Sequence, residues 1–591
     1  MLDVRELQFD NPTTINQLLL LSALSYCVSA ADYHEQLNLR PLPLSALLAS
    51  FNFRSNSTLH DFESQNFGYF PRSLGQILQH AGTKELHLRF SLGRWDAESW
   101  GTRPWEGQRE GGTGVELWAW LDARSDEEYE ADEKWLILTN ALSGLFCASL
   151  NFVDVTRTTR PVMSFQPEGH HSRDSIPNLR LLHGVLPKEV VCTENLTPFL
   201  KLLPCKGKAG VSSLLDGHKL FDSSFQSMAI DVRPLCPENG ECVLEIEQTI
   251  DMVLDVERSK RPQGNPIPRP PPSQDLKCEA SKPYHADNTC FPISHASGQE
   301  WHLSHIFGRP ITGTCPLADP ESAPVCIEVP ESRSVYTSGG VYETKNPNGV
   351  SRCFTFDVNG EFDIILPALD AEATAIAPAE LVDAPTPLIY AERSLMGYGQ
   401  ERGGVQAILT NPSPDTEVEF IYMESLPWFM RVYLHTLETR INGNINQQAS
   451  IIEQVFYRPA IDRARGTQLE LRMRIPPDST VFLTYEFEKT ILRYTEYPPD
   501  ANRGFDVAAA VITTISPRVQ SVRTTTLLLN LPVPDFSMPY NVIIFTSTAI
   551  ALAFGGLYNI LVRRLVAADE APSPLARAKL GKLLARFRSR K

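Results

Sequence analysis

The chain has 591 residues, a formal net charge of −16, 42% apolar residues and eleven cysteines. The charge is unevenly placed: residues 563–591 hold nine basic and two acidic side chains, +7, which leaves −23 on residues 1–562. An acidic body of that size offers no electrostatic footprint for nucleic acid.

The first expected element is a secretory signal over residues 1–30. Leu18 to Val28 forms a short apolar core and Val28-Ser29-Ala30 supplies a small-residue cleavage pattern, although Asp3, Glu6 and Asp10 outnumber Arg5 upstream. Cleavage near Ala30 is the expectation, and an uncleaved anchor is the alternative. Beyond Cys27, the cysteines are Cys147, Cys192, Cys205, Cys236, Cys242, Cys278, Cys290, Cys315, Cys326 and Cys353. All precede the apolar run near the C-terminus, as do the N-glycosylation sequons at Asn56 and Asn195, which points to an oxidising, glycan-bearing compartment.

Residues 31–257 read as an N-terminal luminal region of strands and helices. Leu74, Ile77, Leu78 and Ala81 recur at helical spacing, with Gly82 placed to close the helix in a left-handed conformation. Leu86, Leu88, Phe90 and Leu92 then alternate with polar residues, as do Val115, Leu117, Ala119 and Leu121, which predicts two half-buried strands. The loop between them carries Trp95, Trp100 and Trp105, read as a satellite core. Trp135 to Ser149 forms the best helical stripe, and Cys147 within it reads as a buried thiol. Cys236 and Cys242 bracket an Asn-Gly turn that a disulfide would staple.

Residues 258–275 hold six prolines and read as a linker or insertion. Residues 276–399 form a Cys/His-containing region, in which His302-x-x-His305 is the only tight ligand pair; disulfides, and no metal, are expected there. Residues 400–541 show the cleanest strands. Leu469, Leu471, Met473 and Ile475 alternate with Glu470, Arg472 and Arg474. Val481, Leu483, Tyr485 and Phe487 repeat the pattern after the turn Pro476-Pro477-Asp478-Ser479, and with Glu417 to Met423 they predict an antiparallel β-sandwich.

Residues 542–562 are uncharged and apolar, and at about 1.5 Å per residue reach roughly 30 Å, one membrane span. Arg563 and Arg564 close it, so the positive-inside rule places the basic tail, 563–591, in the cytoplasm and the body in the lumen or exterior. Leu580, Leu583, Leu584 and Phe587 give that tail an apolar stripe among bases, suited to an anionic leaflet. The fold class is therefore mainly β with some α, with luminal antiparallel β-sandwich regions and one C-terminal transmembrane helix. No G-x-S-x-G elbow, P-loop or H-E-x-x-H motif is present, and no cofactor is called for.

Five blocks resist a purely structural reading: Val190 to Pro198; Leu426-Pro427-Trp428-Phe429-Met430-Arg431-Val432-Tyr433-Leu434-His435-Thr436; Tyr457-Arg458-Pro459-Ala460-x-Asp462-Arg463; Thr495-Glu496-Tyr497; and Pro534 to Val542. In this order they resemble the PIG-T subunit of glycosylphosphatidylinositol (GPI) transamidase. The resemblance covers most of the chain and departs around Pro270. It implies a non-catalytic luminal scaffold in the endoplasmic reticulum membrane. The parent complex cleaves a C-terminal signal from a precursor and joins the new end to GPI, using the nucleophile of a caspase-like subunit, PIG-K. Implied partners are that subunit, the other membrane subunits, the GPI lipid and the precursor signal. The resemblance also implies an intersubunit disulfide at Cys192, with an internal partner such as Cys205 as the alternative, and a GPI contact through Asp535, Ser537 and Asn541, with satisfaction of backbone at a helix entrance as the alternative for Asn541. Trp428 and Tyr433 carry large amphipathic rings suited to interface anchors, with core packing as the alternative. Pro534 and Pro539 imply an extended approach to the span. The alternative reading of the same architecture is a type I receptor or adhesion ectodomain.

Overall fold

The computed structural model describes residues 33–562 and residues 582 and 586, apart from 44, 124–127, 172–175, 188, 237–240, 260–299, 319–323, 340, 346–349, 357–359, 369–384, 398, 400, 443–450, 499 and 534–536. The signal, the proline-rich stretch beyond Ser259, Cys278, Cys290, Asp535 and almost all of the basic tail therefore lie outside the described residues. Two compact units emerge, 1–531 and 532–591. The chain is mainly β, with several antiparallel sheets and one apolar C-terminal helix.

The first unit is built on an eleven-stranded sheet. Its strands are β1 (Tyr33–Leu42), β2 (Ala46–Thr58), β3 (Thr83–Gly93), β4 (Gly114–Asp122), β5 (Thr158–Thr159), β6 (Leu179–Leu186), β7 (Phe225–Leu235), β8 (Val243–Asp255), β9 (Val325–Glu328), β10 (Val341–Lys345) and β11 (Ser351–Phe356). They are ordered β10-β11-β9-β1-β2-β8-β7-β3-β4-β6-β5. Among its described strands only the β1–β9 pair is parallel. On one face, Phe51 and Phe53 of β2, Leu86, Leu88 and Phe90 of β3 and Ile246 and Ile250 of β8 join one core with three helices. These are α1 (Arg72–His80), α2 (Glu128–Phe146) and α3 (Thr193–Leu202). They contribute Leu74 and Leu78, Trp135, Leu138 and Leu142, and Leu196 and Phe199 respectively. Each such side chain contributes about 1.5–3 kcal/mol on burial. Gly82 closes α1 at φ +62, as its place in the sequence predicts.

The strands β3 and β4 differ from expectation on their other face. Glu85, His87 and Arg89 are each 0% exposed and Glu116 1%, so the polar half of the alternation is buried rather than solvated. It is covered by the β3–β4 loop, by residues 154–171 and by the second half of the unit. Trp95 and Trp100 pack edge to face at 5.1 Å, but Trp105 leaves the expected cluster and donates its indole N–H to Asp251.

That second half is a sandwich. One sheet, ordered β12-β13-β18-β15, comprises β12 (Tyr390–Met396), β13 (Arg402–Asn411), β18 (Ser479–Lys489) and β15 (Met430–Ile441). The other, ordered β16-β17-β14-β19-β20, comprises β16 (Ile452–Arg458), β17 (Thr467–Ile475), β14 (Val418–Leu426), β19 (Val511–Ser516) and β20 (Ser521–Arg523). Leu409, Leu483, Phe420 and Leu471 meet between them. The turn after Ile475 does not make a hairpin: β17 pairs with β14 and β16, and β18 with β13 and β15. Two prolines without N–H groups suit a connection that crosses between sheets rather than one that closes a ladder.

In the second unit α4 runs over Ser537–Val562, of which Tyr540–Val562 is long and apolar enough to span a bilayer. The helix opens at Ser537, ahead of Pro539, while the apolar span within it starts at Tyr540; residues 534–536, on which the expected extended approach falls, lie outside the described residues. Proline is tolerated in a first turn because its missing N–H has no intrahelical acceptor there.

The β3–β4 loop meets β20 at Gly107, which has φ +72, and a Cβ there would lie 1.9 Å from the carbonyl oxygen of Ser521. Gly107→Ala is expected to destabilise the protein by at least about 2 kcal/mol, combining backbone strain with a forced separation. Thermal melting of the detergent-solubilised chain checks this, and an unchanged midpoint would show that the loop does not dock there.

Candidate functional site

Cys205–Cys315, Cys236–Cys242 and Cys326–Cys353 are disulfides, and among the described cysteines Cys147 and Cys192 are free. The bridge across Cys236 and Cys242 is the one their spacing predicts. Cys205 is committed to Cys315 and so is not an internal partner of Cys192. Cys147 is exposed, not buried as its stripe predicts: α2 ends at Phe146 and Cys147 turns left-handed at φ +52, which swings it off the buried face. Cys192 is half-buried at the N-terminal cap of α3.

Asn195, three residues on, accepts the Cys192 backbone N–H on Oδ1 at 2.9 Å. Its Nδ2 donates to the carbonyls of Phe146 at 2.8 Å and Cys147 at 3.4 Å. Glu189 accepts the N–H of Ser149 at 2.8 Å, tying the same two segments a second time. Asn195 itself is 2% exposed. Asn56 is half-buried on β2, opposite Glu245.

Three of the five distinctive blocks converge at one end of the sandwich. The Arg463 guanidinium lies 4.8 Å from the centre of the Trp428 ring and pairs in a two-point contact with Glu496 at 2.5 and 3.1 Å. Arg431 pairs with Asp462 at 2.7 Å. Trp428 and Phe429 belong to a buried cluster with Phe487 and Leu529, so Trp428 is core and not a displayed anchor. Tyr433 is partly exposed and donates its hydroxyl to Glu488 at 2.6 Å, just before a bulge in β15. The first block lies at α3, and the last leads into α4 of the other unit. Ser537 is the first residue of α4 and Asn541 is exposed in its second turn, while Asp535 lies outside the described residues.

Two groups invite a metal reading. The His302 and His305 rings pack at a tilt of 32° with their centres 4.4 Å apart, and His302 faces Glu300 and Asp363. The other, His87 with Glu168 and Asp231, was not legible as a motif because its members come from different segments. Here both imidazole nitrogens are engaged: Nδ1 with Asp231 at 2.5 Å and Nε2 with Glu85 at 2.8 Å. Asp231 also binds Arg89 at 2.6 Å, and Arg109 joins Glu168 and Glu247, each at 3.0 Å. The guanidinium groups occupy the cation positions, so the arrangement is an ion network. Burial alone would lower the pKa of His87, but the charge of Glu168 and the hydrogen bonds that the imidazolium donates to Asp231 and Glu85 outweigh it and raise it to about 9. Burial would raise Asp231, yet Arg109, Arg89 and His87 hold it well below the usual carboxylate range. The sequence signal was present in the Glu85, His87, Arg89 alternation, whose mixed charges suit mutual pairing.

A protein family described as "Gpi16 subunit, GPI transamidase component" matches residues 17–588. The GPI transamidase component GPI16 of Saccharomyces cerevisiae is 42% identical over 579 residues, covering 94% of this chain and 92% of that protein. The GPI transamidase component PIG-T homolog of Schizosaccharomyces pombe is 36% identical, covering 95% and 97%. The GPI-anchor transamidase component PIGT of Homo sapiens is 31% identical, covering 98% of each chain.

The ion network sets a pH range for the stability of the buried sheet face. Because His87 is raised above its ordinary value, its contribution is complete below about pH 6.5 and lost as pH rises through about 9. The depressed Asp231 and Glu116 contribute in the opposite sense, with stability lost as pH falls below the carboxylate range. Melting curves between pH 7 and about 10 should fall more steeply for the wild type than for His87→Asn, by an amount on the order of 3 kcal/mol. Parallel profiles would show that His87 is neutral in the fold.

Proposed function

The chain belongs to the family of Gpi16 subunits of GPI transamidase, and we propose that it serves that complex as a non-catalytic scaffold in the endoplasmic reticulum membrane, its body luminal and its basic tail cytoplasmic. The observation that carries this reading is the half-exposed free thiol of Cys192, braced at the α2–α3 junction within the first distinctive block. It supports a disulfide to the caspase-like catalytic subunit, which would hold that subunit against a rigid β body. The basic flank that begins at Arg563 and Arg564, directly after the apolar helix Tyr540–Val562, supports the orientation. Asn56, the more accessible sequon, is the glycan acceptor in this reading. Other transamidase membrane subunits and the precursor's C-terminal signal are its remaining partners.

Cys192→Ser is expected to abolish the disulfide-linked heterodimer on nonreducing electrophoresis of the intact complex while leaving both chains present. A band of unchanged intensity would rule out Cys192 as the link.

The start of α4 supports a GPI contact. Asn541 is exposed there, and a carboxylate, a hydroxyl and an amide suit the ammonium, phosphate and sugar hydroxyls of a GPI headgroup. Replacing Asp535, Ser537 and Asn541 together with Ala should weaken GPI binding to the assembled complex about tenfold or more, the loss of two or three net hydrogen bonds. Wild-type binding with normal assembly would remove these residues from the lipid site.

A further inference from the structure

We propose that Asn195 is not a carbohydrate acceptor, despite its sequon, but the positioning residue that fixes Cys192 for its partner. The proposal rests on the reading of Cys192 as an intersubunit link, and the experiment below separates the two.

A helix leaves its last carbonyls and first N–H groups without intrahelical partners, and a buried junction between two helices must satisfy both sets. One carboxamide does so here. Nδ2 takes the carbonyls at the end of α2, Phe146 at 2.8 Å and Cys147 at 3.4 Å, while Oδ1 takes the Cys192 N–H at 2.9 Å. The third residue of α3 thereby caps its own helix and closes the preceding one. Glu189, three residues ahead of Cys192, holds Ser149. Cys192 thus lies midway between two ties to the 146–149 turn, and its backbone cannot shift without breaking one of them. Its side chain remains partly exposed, so the constraint falls on the backbone and leaves the sulfur accessible.

Glycosylation is incompatible with this arrangement. A sugar joined to Nδ2 replaces one of the two hydrogens that serve Phe146 and Cys147, and its bulk has no outlet from a side chain that is 2% exposed. The Thr197 hydroxyl of the sequon is likewise engaged, donating to the Thr193 carbonyl at 2.9 Å. Leaving two carbonyls and one N–H unpaired instead would cost more than any single hydrogen bond contributes.

The test uses the full-length chain expressed with its complex. Thr197→Ala destroys the sequon and spares the carboxamide: mobility before and after endoglycosidase treatment should match the wild type, with a normal cross-linked band. The disappearance of one glycan would overturn the proposal. Asn195→Ala should lower the cross-linked fraction several-fold, and Asn195→Gln, which keeps both donor and acceptor, should restore part of it. Wild-type cross-linking in Asn195→Ala would also overturn it. A second readout is independent of the partner. In a Cys147→Ser background, reduced mildly so that the internal disulfides persist, the chain is treated with a maleimide and labelling is read on the Cys192 peptide; Cys192 should react several-fold faster in Asn195→Ala or, if that variant does not accumulate, in Asn195→Gln. Equal rates mean that no clamp exists. If the heterodimer band survives Cys192→Ser while maleimide reactivity still responds to Asn195, the link is misassigned and the clamp stands.

Discussion

One face of the eleven-stranded sheet carries Glu85, His87, Arg89, Glu116, Asp231 and Glu247, all buried. Removing an ion from water costs several kcal/mol even after relaxation, so such a face is stable only if partners reach it from elsewhere. They come from three places. The β3–β4 loop brings Arg109 and the N–H of Gly112, residues 154–171 bring His171 and the N–H groups of Glu168 and Gly169, and β20 brings Arg523 to Glu116 at 3.2 Å. In the reverse direction Glu470 of β17 accepts the N–H groups of Val162, Met163 and Ser164, each at 2.8 Å. The sheet and the sandwich are therefore held in one relative position by charges that have no alternative pairing at comparable cost.

Aromatic rings line that contact as well. Trp118 stacks on His87 at 4.9 Å and lies 4.7 Å from the Arg89 guanidinium, while Phe165 stacks on His183, which binds Glu116 at 3.0 Å. Flat faces over cations exclude water, which strengthens each ion pair beneath them. In the scaffold reading proposed above such rigidity is useful, because a partner attached at one point would be held in a defined place relative to the sheet and the sandwich.

The α2–α3 junction applies the same rule to backbone groups. Carbonyls at the end of one helix and an N–H at the start of the next would each be costly to bury alone, and a single asparagine resolves both. A sequon read locally as a surface mark is in this way part of the core, and a cysteine read as buried is exposed one residue past the helix end. Both differences arise because the fate of a side chain at a helix boundary depends on what packs against it.

What the sequence by itself determined is whatever depends on local period and composition. The 21-residue apolar run, the alternation in residues 469–487, the stripe of α2, the left-handed Gly82 and the short-range disulfide at Cys236 all follow from covalent geometry and hydrophobicity within a few residues. The distinctive blocks also identified the family, since their order needs no coordinates. The tertiary structure alone decided which strands share a sheet, so that β17 and β18, adjacent in sequence, lie in different layers. It decided too that Glu85, His87 and Glu470 are buried and that Arg463 covers Trp428. The physical reason is that burial of a charge is set by partners hundreds of residues away, such as Arg523 for Glu116, and no periodicity in a single strand encodes where those partners will be.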